Sequence, residues 1–296
     1  FASDNPMDFR HNQIMPGKLY VVATPIGNLS DITERAIKTL KDVDLIACED
    51  TRHTKKLLQH FGINTKTLSY HEHNEIQREK ELIDSLINGS DVAVVSDAGT
   101  PAINDPGYRL VRAAIDAEVE VVPIPGPSAL ITALVASGLP TNEFFYAGFL
   151  PARSNARQTR LRELSSILAT LVFYEAPHRL LPSLKDAREI LGERHAVVAR
   201  ELTKLHEEIR RGLLSELVEY YEGSAEPRGE IVLLIDQTVV ATADVTEEAG
   251  SSVGQLVAEF ERQGLDHRAA LKKAARELGL PRAEAYPRLV AERGRN

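Results

Sequence analysis

Short apolar runs bounded by turn residues alternate with amphipathic helical stretches through the first half of the chain: "LYVVA", "VDLIACE", "DVAVVSD" and "EVEVVPI" are separated by segments such as Asp31 to Lys41 and Asn74 to Asn88. Strands that are apolar on both faces must be covered on both faces, and helical crossovers between them do that for a mostly parallel sheet. The pattern therefore predicts an α/β domain over residues 17–139. A second set of runs follows, "EFFYAGFL", "TLVFYEA", "HAVVARE", "HEEIRRG" and "EIVLLID", with helices near Asn155 to Leu168 and Pro177 to Leu191. Closer strands and fewer helices predict a mixed sheet in a second α/β domain over residues 140–237. Residues 238–250 read as an acidic linker, and residues 251–296 as a small helical domain.

Charge and cysteine content narrow the function classes. The 296 residues carry a net charge of −8, which excludes a chain coated uniformly for nucleic acid. The segment Ser251 to Asn296 is different, with nine Lys/Arg against six Asp/Glu. The lone cysteine, Cys48, excludes intrachain disulfides and a cysteine zinc cage. No apolar run is long enough to span a bilayer, and "FASDNPMDFRHNQIMPGK" lacks the apolar core of a signal peptide, so a cytoplasmic protein is expected. Residues 1–16 are expected to be disordered or added upstream sequence, outside the fold.

In an open parallel sheet, ligands sit beyond the carboxyl ends of the strands. Three loops there are rich in Pro and Gly: "TPIGN" (Thr24 to Asn28), "SDAGTPAINDPG" (Ser96 to Gly107) and "PIPGPSA" (Pro123 to Ala129). None contains a G-x-G-x-x-G or G-x-x-x-x-G-K-[ST] phosphate cradle. Stiff, apolar loops rich in backbone groups suit a nucleoside-like ligand without phosphate, with Pro25, Gly27, Asn28 and Asp97 in reach of it. S-adenosylmethionine meets that description.

Seven ordered stretches, "VATPIGNLSDITERA", "ACEDTRHT", "VSDAGTPAINDPG", "PIPGPSA", "LVFYEAPHR", "RELTKLHEE" and "RGEIVLLI", closely resemble the ribosomal RNA small subunit methyltransferase I group of the tetrapyrrole methylase superfamily. The first loop departs from the G-x-G-P-G-D of most tetrapyrrole enzymes, which favours the RNA branch. The resemblance implies two α/β domains of the class III methyltransferase type with S-adenosylmethionine in the cleft between them, in a homodimer. It implies cofactor contacts from Ala98, Gly99, Thr100, Ile103, Ser128, Ala129, Tyr174, Glu175 and Gly229. The implied substrate is a cytidine ribose 2′-hydroxyl in the decoding region of small-subunit ribosomal RNA, free or in an assembled subunit. Two alternatives stay open: a methylase of a tetrapyrrole or other small molecule, and a non-catalytic ribosome-assembly binding protein.

A ribose hydroxyl is a poor nucleophile at neutral pH, so a proton acceptor or a positive field should assist it. Candidates are Glu49, Asp50 and Arg52 in "CEDTRHT", and Arg200, Glu201 and Lys204 in "RELTK", although the first can equally be a helix cap and the second an ion pair. His71 and His73 in "HEHNE" fall at strand spacing on one face, but without a third ligand motif no metal is expected. His178 and Arg179 are candidate substrate contacts, or simply occupy the first turn of a helix begun by Pro177. Arg153, Arg157, Arg160 and Arg162, with no acid between them, fit phosphate contacts on a loop, or a solvated helix face. "ALKKAARELGLPRAEAYPRLVAE" resembles a helix-turn-helix with Gly279 and Pro281 at the turn, which makes Lys272 and Lys273 further RNA candidates.

Overall fold

The computed structural model describes residues 15–239, 253–277 and Leu289. Its Cα packing divides the chain into two compact units after residue 240. In the first unit, β1 (Leu19–Val22), α1 (Glu34–Asp42), β2 (Leu45–Cys48), α2 (Thr51–His60), β3 (Lys66–Ser69), α3 (Glu75–Ile87), β4 (Val92–Val95), α4 (Tyr108–Asp116) and β5 (Val121–Ile124) build a five-stranded sheet of order β3-β2-β4-β1-β5. Every pairing in it is parallel. Central β4 is buried at all four positions, as the doubly apolar "VAVV" requires. Helix α1 shows how the covering layer is made. Thr33 caps it by accepting from the Ala36 amide at 3.1 Å, and Ala36 and Leu40, one turn apart, enter the core.

After α5 (Ala129–Ser137), the chain continues through β6 (Phe144–Phe149), α6 (Ser154–Leu164), β7 (Thr170–Glu175), α7 (Leu180–Leu191), β8 (Arg194–Arg200), β9 (Glu208–Leu213), α8 (Leu214–Gly223) and β10 (Ile231–Val239). These strands form a second sheet of order β6-β7-β10-β8-β9. It is mixed, as expected: β6 pairs parallel with β7, and the other pairings are antiparallel. One face packs with Leu161, Leu164, Leu184, Leu191 and Leu217 beneath α6, α7 and α8. The other receives α5, whose Leu130, Ala133 and Leu134 join Ile26 against Val172, Val197, Val232 and Leu234. Helix α5 is apolar nearly all round, yet only this face is covered: Ile131 and Val135 on its other side are 45% and 70% exposed.

Several expectations change. Edge strand β3, "KTLS", is half-exposed and offers no apolar run, so its sequence does not announce a strand. Strand β10 extends through Gln237 and Thr238 to Val239, three residues past "EIVLLID" and into the expected linker; the remainder of that linker lies outside the described residues. His71 and His73 sit in the turn before α3, not on a strand. There, Asn74 Oδ1 accepts from the His71 amide at 2.8 Å and the two imidazoles meet edge to face at 5.9 Å. In the second unit, α9 (Val253–Arg262) and α10 (His267–Glu277) pack Val257, Phe260, Ala270 and Ala274 together with Leu289. The turn with Gly279 and Pro281 lies outside the described residues. Among the described residues, no helix is long and apolar enough to cross a membrane.

Candidate active site

The loops after β1, β4 and β5 come together because those strands are neighbours in the first sheet. Thr24 and Gly99 exchange backbone hydrogen bonds of 2.9 and 3.0 Å, and the Thr100 hydroxyl donates to the Pro127 carbonyl at 3.3 Å. Gly99 has φ +78°, a conformation only glycine adopts without strain. Across from these loops stand the ends of β7 and β8 and the start of β10. The enclosed cavity measures about 410 Å³, within the range of small-molecule and cofactor sites.

Most of the expected cofactor residues line this cavity: Asp97, Ala98, Gly99, Thr100, Ile103, Ser128, Ala129, Tyr174, Glu175 and Gly229. The first loop contributes differently. Its Ile26 lines the wall, whereas Pro25, Gly27 and Asn28 do not. Asn28 caps a single helical turn by accepting from the Ser30 amide at 3.0 Å. A Cβ on Gly27 would fall 2.4 Å from Lys204 Cγ, so this glycine lets "TPIGN" pack against "RELTK". Sequence reasoning missed Asn104, Asp105, Phe149 and Glu230 among the lining residues. The first two stand in a motif already singled out, and Glu230 follows Gly229 in "RGEI"; Phe149 carries no such signal, because a register shift in β6 decides its direction.

The wall is apolar with an acidic edge. Asp97, Asp105, Glu175 and Glu230 line it, and among the described residues no Lys, Arg or His does. Glu175 is already engaged, accepting from Arg179 Nη2 at 2.6 Å, from the Ser183 hydroxyl at 2.5 Å and from the Ala176 amide at 2.8 Å. Asp97 Oδ1 accepts from the Asp50 amide at 3.1 Å. Burial raises the Asp105 carboxyl above the ordinary range, a hydrogen bond from Ser96 opposes the shift, and the neighbouring Asp97 adds to it. Burial likewise raises Glu49, reinforced by Asp97, Asp105 and Glu72.

The two clusters expected to assist catalysis, in "CEDTRHT" and "RELTK", are largely engaged in ion pairs. Asp50 caps α2, accepting from the Arg52 amide at 2.8 Å, and the Arg52 guanidinium folds back on it at 2.9 Å; hydrogen bonds from Arg52 hold the Asp50 carboxyl down at about 2. Arg200 pairs with Glu208 at 2.9 Å. Lys204 bridges Glu201 at 2.8 Å and Glu230 at 3.0 Å. Burial works against the Lys204 ammonium, yet hydrogen bonds to Glu201 and Glu230 raise its pKa, so it is a fixed cation and not a base. Glu49, whose carboxyl burial raises, stands outside the residues that line the cavity.

The arginine stretch is helix α6, not a loop, and its members are not equivalent. Arg157 is 3% exposed and points inward, its Nε and Nη2 each 2.6 Å from Asp186 Oδ2. It cannot reach phosphate, which corrects its assignment as an RNA contact. Arg160 pairs with Glu163 at 2.8 Å, while Arg153 and Arg162 are exposed. In the second unit Lys272 is exposed, and the Lys273 ammonium lies 4.1 Å from the Phe260 ring centroid.

The tetrapyrrole (corrin/porphyrin) methylase family matches residues 18–218. The chain is 50% identical over 272 residues to the "Ribosomal RNA small subunit methyltransferase I" of Halalkalibacterium halodurans, covering 91% of this chain and 93% of the relative. It is 49% identical to the protein of the same name from Escherichia coli O157:H7, covering 88% of each. Among solved structures, diphthine synthase superposes with a TM-score of 0.58 at 15% identity over 76% of this chain and 92% of that one. The methyltransferase CobJ gives 0.57 at 20% identity over 74% and 94%. These structural likenesses bear on the fold.

Proposed function

We infer that this chain, which belongs to the tetrapyrrole methylase family and within it to the ribosomal RNA small subunit methyltransferase I family, is an enzyme that uses S-adenosylmethionine to methylate a cytidine ribose 2′-hydroxyl in the decoding region of small-subunit ribosomal RNA. The observation that carries the cofactor assignment is the cavity wall: carboxylates and apolar side chains, with no cationic residue among those described. Such a wall repels phosphate and suits an adenosine joined to a sulfonium and an ammonium. Gly99 and Gly229, both at positive φ, keep backbone rather than side chain at the wall. The cofactor, when bound, supplies an activated methyl group and its own leaving group.

The protein's part is to orient, to exclude water and to take a proton. The loops after β1, β4 and β5 would hold the adenosine, with Asp97 and Asp105 toward the cationic end. Glu49 would accept the hydroxyl proton, and the fixed Lys204 cation would supply a positive field at the rim. Arg153 at the start of α6 and Arg162 on it, with Lys272 in the second unit, would meet phosphates of the RNA. The enzyme would work in the cytoplasm as a homodimer; edge strand β6, with Phe144 and Phe145 exposed, is a surface available to a second copy.

Methyl transfer from tritiated S-adenosylmethionine is expected to small ribosomal subunits or their RNA and not to uroporphyrinogen, with the label recovered as a 2′-O-methylated cytidine after nuclease digestion. Label on a base, or on the tetrapyrrole, overturns the assignment. Neutralising Arg153 and Arg162 is expected to flatten the salt dependence of RNA binding by about 0.7–0.9 log–log units for each phosphate no longer neutralised. Affinity measured from low to moderate salt checks this, and an unchanged slope places RNA recognition elsewhere.

A further inference from the structure

Strand β6 carries a backbone irregularity at its cavity end. Tyr146 is opposite Val172 and Phe149 opposite Tyr174, so three steps along β6 match two along β7. The extra residue is a bulge at Ala147 and Gly148, and Gly148 takes φ +68°. By simple alternation Phe149 would share the face of Ala147, which packs into the core beneath α6 and α7. The bulge turns it instead to the face of Tyr146 and Tyr174, and Leu150 takes the core position, 2% exposed.

Phe149 consequently lines the cavity while 51% exposed. An aromatic ring diverted from a core and left half in water is an unsatisfied apolar surface at a binding site. It also has partners on the inner side. Tyr174 meets it edge-on at 5.7 Å, and the Arg179 guanidinium, clamped on buried Glu175, lies over the ring at 5.9 Å. Beside Phe149 stands Asn104, at φ +61°, its side chain against Gly148 of the bulge. The Tyr146 hydroxyl donates to Asn104 Oδ1 at 3.0 Å, an arrangement that leaves the amide nitrogen as a donor.

We propose that Phe149 is the platform on which the base of the target nucleotide stacks, with Asn104 donating to an acceptor on that base's edge. The proposal rests on the RNA methyltransferase reading above. A nucleotide whose ribose is drawn into this recessed cavity leaves its neighbours, and an aromatic ring replaces the stacking it gives up. The exposed part of the ring faces solvent, from which the RNA arrives.

The test compares Phe149→Leu, Phe149→Ala and Phe149→Tyr, using unmethylated small ribosomal subunits for kinetics and calorimetry with S-adenosylmethionine alone. The ring-less variants are expected to weaken substrate affinity about 5- to 150-fold, the equivalent of about 1–3 kcal/mol for one stacked base. Their cofactor affinity should fall by much less than their substrate affinity, and Phe149→Tyr should restore substrate affinity. Leucine performing as well as phenylalanine overturns the proposal, because apolar area and not a ring would then suffice. Equal loss of cofactor affinity overturns it as well, placing Phe149 in the cofactor wall. Wild-type protein that methylates no RNA would remove the underlying function instead, a result seen before any variant is made.

Discussion

Replacing Arg157 by leucine is expected to lower folding stability by about 3–5 kcal/mol and to leave the salt dependence of RNA binding as it was. Asp186 accepts from both Arg157 nitrogens and also from the Ser154 hydroxyl at 3.1 Å and Gln158 Nε2 at 3.0 Å. Without the guanidinium, a buried carboxylate keeps two neutral donors and no counter-charge. The Arg157 Nη1 hydrogen bonds to the carbonyls of Pro151 and Ala152, which hold the approach to α6, disappear with it. Thermal unfolding should report a drop of about 2–4 °C for each kcal/mol in a unit of this size. The double variant Arg157→Met with Asp186→Leu removes both charges and should recover most of the loss. If Arg157→Leu melts with the wild type but binds RNA with a flatter salt response, the buried pair is not what the side chain is for.

Introducing a methyl group at Gly229 is expected to damage the fold and the site together. A Cβ there would lie 2.1 Å from Glu201 Oε1, 2.2 Å from its Cδ and 2.5 Å from its Cγ, so the whole side chain must leave. Glu201 Oε1 holds Lys204 Nζ at 2.8 Å and the Glu230 amide at 3.0 Å, and both bonds would go. Gly229 also sits at φ +89°, where a side chain is strained. Together these effects cost about 2–5 kcal/mol. Because Gly229 and Glu230 form part of the cavity wall, cofactor affinity should fall at least about 100-fold, or about 2.7 kcal/mol. Combining Gly229→Ala with Glu201→Ala relieves the collision but not the backbone strain, so the pair should be more stable than Gly229→Ala alone. Calorimetry and melting curves on the three variants decide it. Full cofactor affinity in Gly229→Ala would move the site away from this wall.

Much of this site is visible in the residues because it is made of backbone. Loops such as "SDAGTPAINDPG" and "PIPGPSA" declare themselves through Pro and Gly, and the neighbourhood of β4, β1 and β5 brings them together. Side-chain roles are harder to see. By charge alone Arg157 is one of four equivalent cations, yet Arg157, Leu161 and Leu164 fall on one helical stripe, all buried. That spacing, and not charge, decides which arginine turns inward. Asp50 reads as a proton acceptor or as a cap until the Arg52 amide is seen to donate to it. Phe149 is hidden because its direction depends on a bulge, and one inserted residue reverses the parity on which strand reasoning rests.

The position of β10 bears on how the enzyme comes into being. The last strand of its unit is the middle strand of the second sheet, inserted between β7 and β8, and its Ile231 and Val232 close the cavity. During synthesis, β7 and β8 leave the ribosome with open edges and no partner between them. A nascent chain that stops short of β10 therefore has no complete wall with which to hold a ligand. Competence to hold a ligand waits on β10, the strand made last in its unit and seated at the centre of its sheet.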